Sequence, residues 1–251
     1  MKQPSFLFGT IHLICKGDII WTEAMKRSLH SSEEVCFELD MDDPSVLIGA
    51  ATAMISKDGS MLKDYFSPED YTLVEKFAED SLGWDLATLQ QMKPAALHLL
   101  FSAHAIPCKD PNSYESMILE EAQKLKLAVT GLEEPSEQIS LFDRMHSDSI
   151  SKEIVEMARD FSGERSEYRK LLEAYELQDL PQLFQLIAES KISGEDRNAF
   201  VDNRNKKWIS IMEGRMEQRP VFFAVGAGHL WGENGIIQLL RKSGYTVLPV
   251  K

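Results

Sequence analysis

The chain has 251 residues, 43% of them hydrophobic, enough for a buried core in one large domain or two small ones. Lys and Arg total 27 against 40 Asp and Glu, a formal charge of −13. That balance excludes a phosphate-tracking nucleic-acid surface and a polybasic membrane patch.

Taken in order, Phe6 to Leu13 starts abruptly after Pro4 and reads as a short buried strand running into a glycine turn. No basic and apolar signal segment precedes it, and a core strand this near the chain start suggests a processed or trimmed precursor. Trp21 to Leu29 reads as an amphipathic helix and Glu34 to Asp40 as a second strand, the start of an α/β pattern. Pro44 to Ile55 is an apolar helix, and Ser67-Pro68-Glu69-Asp70 supplies an N-cap, a first-turn proline and two acids. Asp85 to Met92 and Pro94 to Ala105 read as consecutive helices broken at Lys93, since a residue before proline disfavours the α region. After a loop from Pro107 to Pro111, Asn112 is expected to cap a helix to about Lys126, and Leu127 to Glu133 gives a third strand. Two or three charged helices fill Pro135 to about Gln218. Val221 to Gly226 is the clearest buried strand, followed by a helix from about Asn234 to Lys242 and a last strand near Tyr245 to Val250. The expected architecture is a single α/β domain over 1–251. It has a mostly parallel central sheet flanked by helices, and large helical insertions at about 44–126 and 135–218 cap one edge.

Open parallel sheets bind ligands at the carboxyl ends of their strands. There the four strands deliver Gly9-Thr10-Ile11-His12, Glu38-Leu39-Asp40, Gly131-Leu132-Glu133 and Gly226-Ala227-Gly228-His229. Both histidines follow a glycine by three positions, where a positive φ and close backbone approach would let the chain turn sharply. Gly9, Thr10, Gly226 and Gly228 are therefore the expected turn-forming and substrate-facing positions. If its strand is buried, Glu38 needs a cation or a metal, because an interior carboxylate costs several kcal/mol alone. A structural arginine partner satisfies it equally well. Asp202 to Trp208 reads on pattern alone as a solvated helix face. There is no HExxH, no GxSxG elbow and no Walker motif, and Trp231 stands where a GxGxxG would need its third glycine.

Together, Gly9-Thr10-Ile11-His12-Leu13, Phe37-Glu38-Leu39-Asp40 with Asp43-Pro44, Gly131-Leu132-Glu133 with Gln138, Arg204-Asn205, and Val225 to Leu230 with Gly232 and Gly244-Tyr245 resemble the TraB/GumN family. By pattern, the Tiki-type metalloproteases within the Tiki/erythromycin-esterase-like superfamily are the most similar. The resemblance implies a metal-dependent peptidase holding a divalent ion (Mn, Co or Zn) on His12, His229 and Glu38, with at least one of Arg204 and Asn205 directed into the site. A carboxylate, Glu133 or Asp40, would take a proton from the attacking water and Arg204 would stabilise the oxyanion.

A peptide or protein substrate, no nucleic acid, no membrane span in this chain and an extracytoplasmic location follow as expectations, with a cytoplasmic location as the alternative. Two other activities keep the same residues: a non-catalytic peptide- or cofactor-binding protein and an esterase-type hydrolase, since a fold does not determine a substrate. Cys15 and Cys108 could pair if the protein matures outside the cytoplasm, leaving Cys36 a buried thiol.

Overall fold

Val221-Phe222-Phe223-Ala224-Val225-Gly226 is apolar at every position, the pattern of a strand covered on both faces. The computed structural model describes residues 3–144, 147–189 and 198–250. In chain order its strands are β1 (Phe6–Thr10), β2 (Ile14–Cys15), β3 (Glu34–Phe37), β4 (Pro111–Asn112), β5 (Ala128–Gly131) and β6 (Val221–Gly226). Its α-helices are α1 (Glu23–His30), α2 (Pro44–Ala53), α3 (Pro68–Phe77), α4 (Pro94–His104), α5 (Tyr114–Leu125), α6 (Pro135–Arg144), α7 (Ser147–Arg159), α8 (Phe161–Glu176), α9 (Leu180–Glu189), α10 (Asn203–Gln218) and α11 (Ile236–Lys242). The main sheet has four strands, all parallel, in the order β1-β6-β3-β5, and β2 and β4 form a separate antiparallel pair.

The chain divides into two compact units, one of Met1–Val46, Asp110–Pro135 and Leu171–Lys251, the other of Leu47–Lys109 and Ser136–Lys170. The first contains the sheet. One face buries Val35, Phe37, Phe222 and Ala224 with Leu29 of α1 and Tyr114, Ile118 and Ala122 of α5. The other buries Cys36, Phe223 and Val225 with Trp208, Ile209 and Met212 of α10 and Ile236 and Leu240 of α11. Each large apolar side chain so buried contributes about 1.5–3 kcal/mol, which is why the short strands hold. Register sets Thr10 beside Gly226 and Phe37 beside Ala224 and Gly131, so the four carboxyl ends share one edge.

The second unit packs Val74 of α3, Leu97 and Phe101 of α4 and Ile150 and Ile154 of α7. Ser67 caps α3 by accepting from the Asp70 N–H, as its sequence implied. His98 of α4 lies 3.5 Å from Glu153 of α7, and burial pushes its pKa down to about 4. The unfolded chain takes up that proton near its ordinary value, so this contribution to stability is complete above about pH 6.5 and lost as pH falls to about 4. The loss is on the order of 3 kcal/mol. Urea unfolding at neutral pH and at about pH 4.5 should register it, and His98→Gln should flatten that part of the profile.

Three sequence expectations need correction. Residues 245–250 form no strand; Tyr245 and Val247 pack against the α10 and α11 core, so their apolar alternation is satisfied without a ladder. Asp85 to Met92 is not a helix but a short 3-10 segment, Leu86–Leu89. The chain there is taken up by tertiary pairing, with Ser56 N–H donating to Gln91 O and Lys93 N–H to Met54 O. Ser113, rather than Asn112, caps α5, because its hydroxyl accepts from the Ser116 N–H. Within the expected 135–218 insertion, residues 145–146 and 190–197 lie outside the described residues.

Candidate functional site

Glu38 follows the last residue of β3, and Gly226 closes β6 beside it. The Gly226 N–H donates to Glu38 Oε1 at 2.8 Å, while Arg204 Nη2 of α10 donates to Glu38 Oε2 at 2.6 Å. The same guanidinium grips both oxygens of Glu133, the residue two past β5, and donates to Phe200 O at 3.0 Å. Its face lies 4.8 Å from the Trp208 ring. Thus Glu38, Glu133 and Arg204 converge from β3, β5 and α10, and within the helix segment read as a solvated face Arg204, Asn205 and Trp208 point inward while Asn203, Lys206 and Lys207 are exposed. All three side chains are at least 86% buried (relative exposures 14%, 3% and 14%).

His229 packs its ring 4.5 Å from Trp208 and is itself buried. Its Nδ1 lies 2.6 Å from Asn205 Oδ1, and Asn205 Nδ2 donates to His229 O and Asn234 O at 3.1 and 2.8 Å. With the amide nitrogen facing two carbonyls, Oδ1 must accept, so His229 Nδ1 carries the proton. The bare Nε2 then faces Glu38 Oε1 at 3.8 Å and accepts from Arg204 Nη1 at 3.3 Å. Burial lowers the His229 pKa to about 4, which keeps the ring neutral at physiological pH.

Burial would raise the Glu38 carboxyl, but His229, Arg204, His12 and the Gly226 N–H pull it down to about 2. Burial works against the Arg204 charge, and the Glu133 hydrogen bonds and both carboxylates outweigh it and raise its pKa further. His12 differs from these groups because its side chain is 73% exposed. Its Nδ1 lies 2.8 Å from Glu115 Oε1, and that hydrogen bond lifts its pKa above the ordinary imidazole range.

The glycines act through space rather than through φ. Gly9, Gly226 and Gly228 all have ordinary backbone angles, contrary to the expectation of positive φ. A methyl group built on Gly226 would lie 3.2 Å from Glu38 Oε1, 3.7 Å from His229 Cδ2 and 3.8 Å from His12 Nε2. Gly226 therefore keeps open the space that these three side chains surround. With φ at −52° the backbone accepts alanine, so Gly226→Ala should retain the fold in a urea titration. The added methyl group would occupy the space between the three side chains.

Of the other expected residues, Thr10 is buried at the end of β1 and Gly228 lies against Ile187 of α9. The Asp40 carboxylate accepts from the Asp42 N–H at 3.1 Å, an Asx-type turn. Glu115 was missed. An acid in the first turn of a helix is common, and nothing local ties it to a histidine 103 residues away.

For a divalent ion the donor types are right, two imidazoles and a carboxylate around a space that Gly226 leaves open. Each imidazole is also held at Nδ1 by an acceptor, the outer support usual for metal-binding histidines. As they stand, though, no three His, Cys, Asp or Glu side chains among the described residues are gathered closely enough to hold an ion. The expected His12, His229 and Glu38 ligand set is thus present in kind but not closed.

The family model for TraB/PrgY/gumN matches residues 2–249. The chain belongs to the TraB/PrgY/gumN family. Among curated proteins it is similar to Metalloprotease TIKI1 of Danio rerio, 21% identical over 97% of this chain and 60% of the relative. Metalloprotease TIKI2 of Xenopus tropicalis is 20% identical over 97% and 57%, and Metalloprotease TIKI1 of Homo sapiens 20% over 97% and 59%. The chain thus spans about 60% of the length of the curated relatives it matches. No solved structure matches it. Among the described residues no helix is long and apolar enough to cross a membrane. Cys15 and Cys108 are disulfide-bonded, and Cys36 is a buried free thiol.

Proposed function

We propose that this member of the TraB/PrgY/gumN family is a metal-dependent peptidase with His12, Glu38 and His229 as the residues that hold the ion. One observation carries the reading: two Nδ1-supported imidazoles and a carboxylate surround the space over Gly226 at the carboxyl edge of the sheet. The metalloprotease names of the relatives support the same reaction class. A divalent ion bound there would supply Lewis acidity and an acidic water.

The chain's own residues divide the remaining work. Asn205 holds His229 in the tautomer whose Nε2 carries no proton. Glu133 fixes the guanidinium of Arg204, which presents positive charge where an oxyanion would develop. Neither expected carboxylate is placed to take a water proton, since Asp40 accepts in its own turn and both Glu133 oxygens are held by Arg204. The bound disulfide supports an extracytoplasmic location, where such bonds persist.

The experiment is cleavage of unstructured fluorogenic peptides with Mn, Co or Zn and with EDTA. Wild type should cleave only with metal; His12→Ala, at an exposed side chain, should lose activity while unfolding normally, and His229→Ala, which leaves buried Asn205 Oδ1 without its donor, should lose activity with lowered stability. Full activity in either variant would sink the reading. A second reading, a binding protein acting without turnover, is favoured by Arg204 Nη1 already contacting His229 Nε2. It predicts ligand retention in EDTA and no cleavage under any ion. A third, an esterase, would cleave p-nitrophenyl esters in the same panel.

A further inference from the structure

We propose that Glu115 is the positioning residue for His12: by accepting the Nδ1 proton it turns His12 Nε2 toward Glu38 and His229. Glu115 sits in the first turn of α5, and Ser113 caps that turn. The antiparallel pairing of β2 with β4 sets Ile14 beside Asn112 and Cys15 beside Pro111. This brings the chain just after His12 to the start of α5, and Glu115 Oε1 meets His12 Nδ1 at 2.8 Å. A carboxylate only accepts, so a neutral His12 in this pair carries its proton on Nδ1 and leaves Nε2 bare. That nitrogen is the one 3.8 Å from the open position over Gly226.

Stability does not account for the pair. Glu115 is 87% buried (relative exposure 13%), whereas His12 is 73% exposed. Burying a carboxylate costs several kcal/mol, and a pair with one exposed partner returns about 0–1 kcal/mol. A residue kept at net cost beside an Nε2 that faces the site is explained by orientation. Asn205 does the same for His229.

The inference rests on the reading of the site as a divalent-ion centre, and two independent measurements separate the two. The first is the ring-nitrogen NMR spectrum of His12 in the metal-free protein at about pH 10, where the imidazole is neutral. Wild type and Glu115→Gln, which can still accept, should show the Nδ1–H tautomer. Glu115→Ala should revert to the Nε2–H form usual in water. An unchanged tautomer in Glu115→Ala overturns the proposal.

The second is calorimetric titration with Mn2+. Glu115→Ala should bind roughly 10- to 100-fold more weakly than wild type, with Glu115→Gln close to wild type. An equal loss in Gln and Ala would overturn the idea that accepting the Nδ1 proton is what Glu115 supplies. If His12→Ala binds Mn2+ as tightly as wild type, the metal reading fails, and the tautomer measurement still judges Glu115.

Discussion

Arg204→Met is expected to destabilise the protein by about 3–5 kcal/mol at pH 8, the cost of leaving buried charges after removing one partner. The guanidinium is the cation shared by Glu38 and Glu133, and it also donates to Phe200 O and stacks on Trp208. Methionine fills the volume and supplies no charge, so the two carboxylates are left facing each other in a buried site. At least one must then bind a proton, which reverses the sign of its pH dependence. In wild type the Glu38 carboxyl is depressed to about 2, so its contribution is present above about pH 4.5 and is lost only as pH falls toward 2. In the variant a raised carboxyl pKa makes the folded state bind protons more readily than the unfolded one, so stability is regained as pH falls toward 5.5. Urea unfolding of both proteins at pH 8 and 5.5 measures the effect. A loss under about 1 kcal/mol, or one that does not shrink with acid, would refute this account. Arg204→Lys should not rescue, because an ammonium cannot make the forked contact to Glu133 while reaching Glu38.

Replacing Asn205 with Leu should cost about 3 kcal/mol and disable the site together. The Asn205 side chain is fully buried and satisfies three groups at once, His229 Nδ1, His229 O and Asn234 O. Leucine matches its size but leaves those groups unpaired, at about 1–3 kcal/mol for each that finds no water. The loss of Oδ1 also frees the His229 ring to move its proton to Nε2, the nitrogen that faces Glu38. Asn205→Asp separates the two effects. It keeps the acceptor for Nδ1 but sets a carboxylate against two carbonyl oxygens, so it should remain destabilised while the His229 tautomer persists. Ring-nitrogen NMR beside urea unfolding reads both. A stable Asn205→Leu with an unchanged tautomer would refute the role given to the amide.

Several of these residues were visible in the sequence for local reasons. A histidine three residues after a glycine, just past an apolar run, marks a strand end, and that pattern singled out His12 and His229. An acid after Glu34-Val35-Cys36-Phe37 marked Glu38, because a carboxylate beside a buried strand needs a partner. Glu115 and Trp208 carried no such mark. Glu115 looks like any first-turn acid, and Trp208 looks like any core aromatic. The alternation in Tyr245 to Val250 misled, because apolar side chains can be buried by packing without a strand partner. Asp85 to Met92 misled in the opposite direction, since pairing with residues 54–56 outcompeted its helical tendency.

By itself, the sequence marked the four sheet strands and their mostly parallel sense, with a further strand at Tyr245 to Val250 that the fold does not form, because apolar runs, caps and glycines act within a few residues of themselves. The identity of each partner was decided only in three dimensions. Whether Glu38 met a metal or an arginine was undetermined by pattern, and the fold sets Arg204 against it from a helix 166 residues away. Which nitrogen each imidazole presents depends on Asn205 and Glu115, whose contacts exist only once α10 and α5 pack beside the sheet. Burial is what gives those contacts their force: away from water, a charge or a proton must be matched by whichever group the fold brings to it.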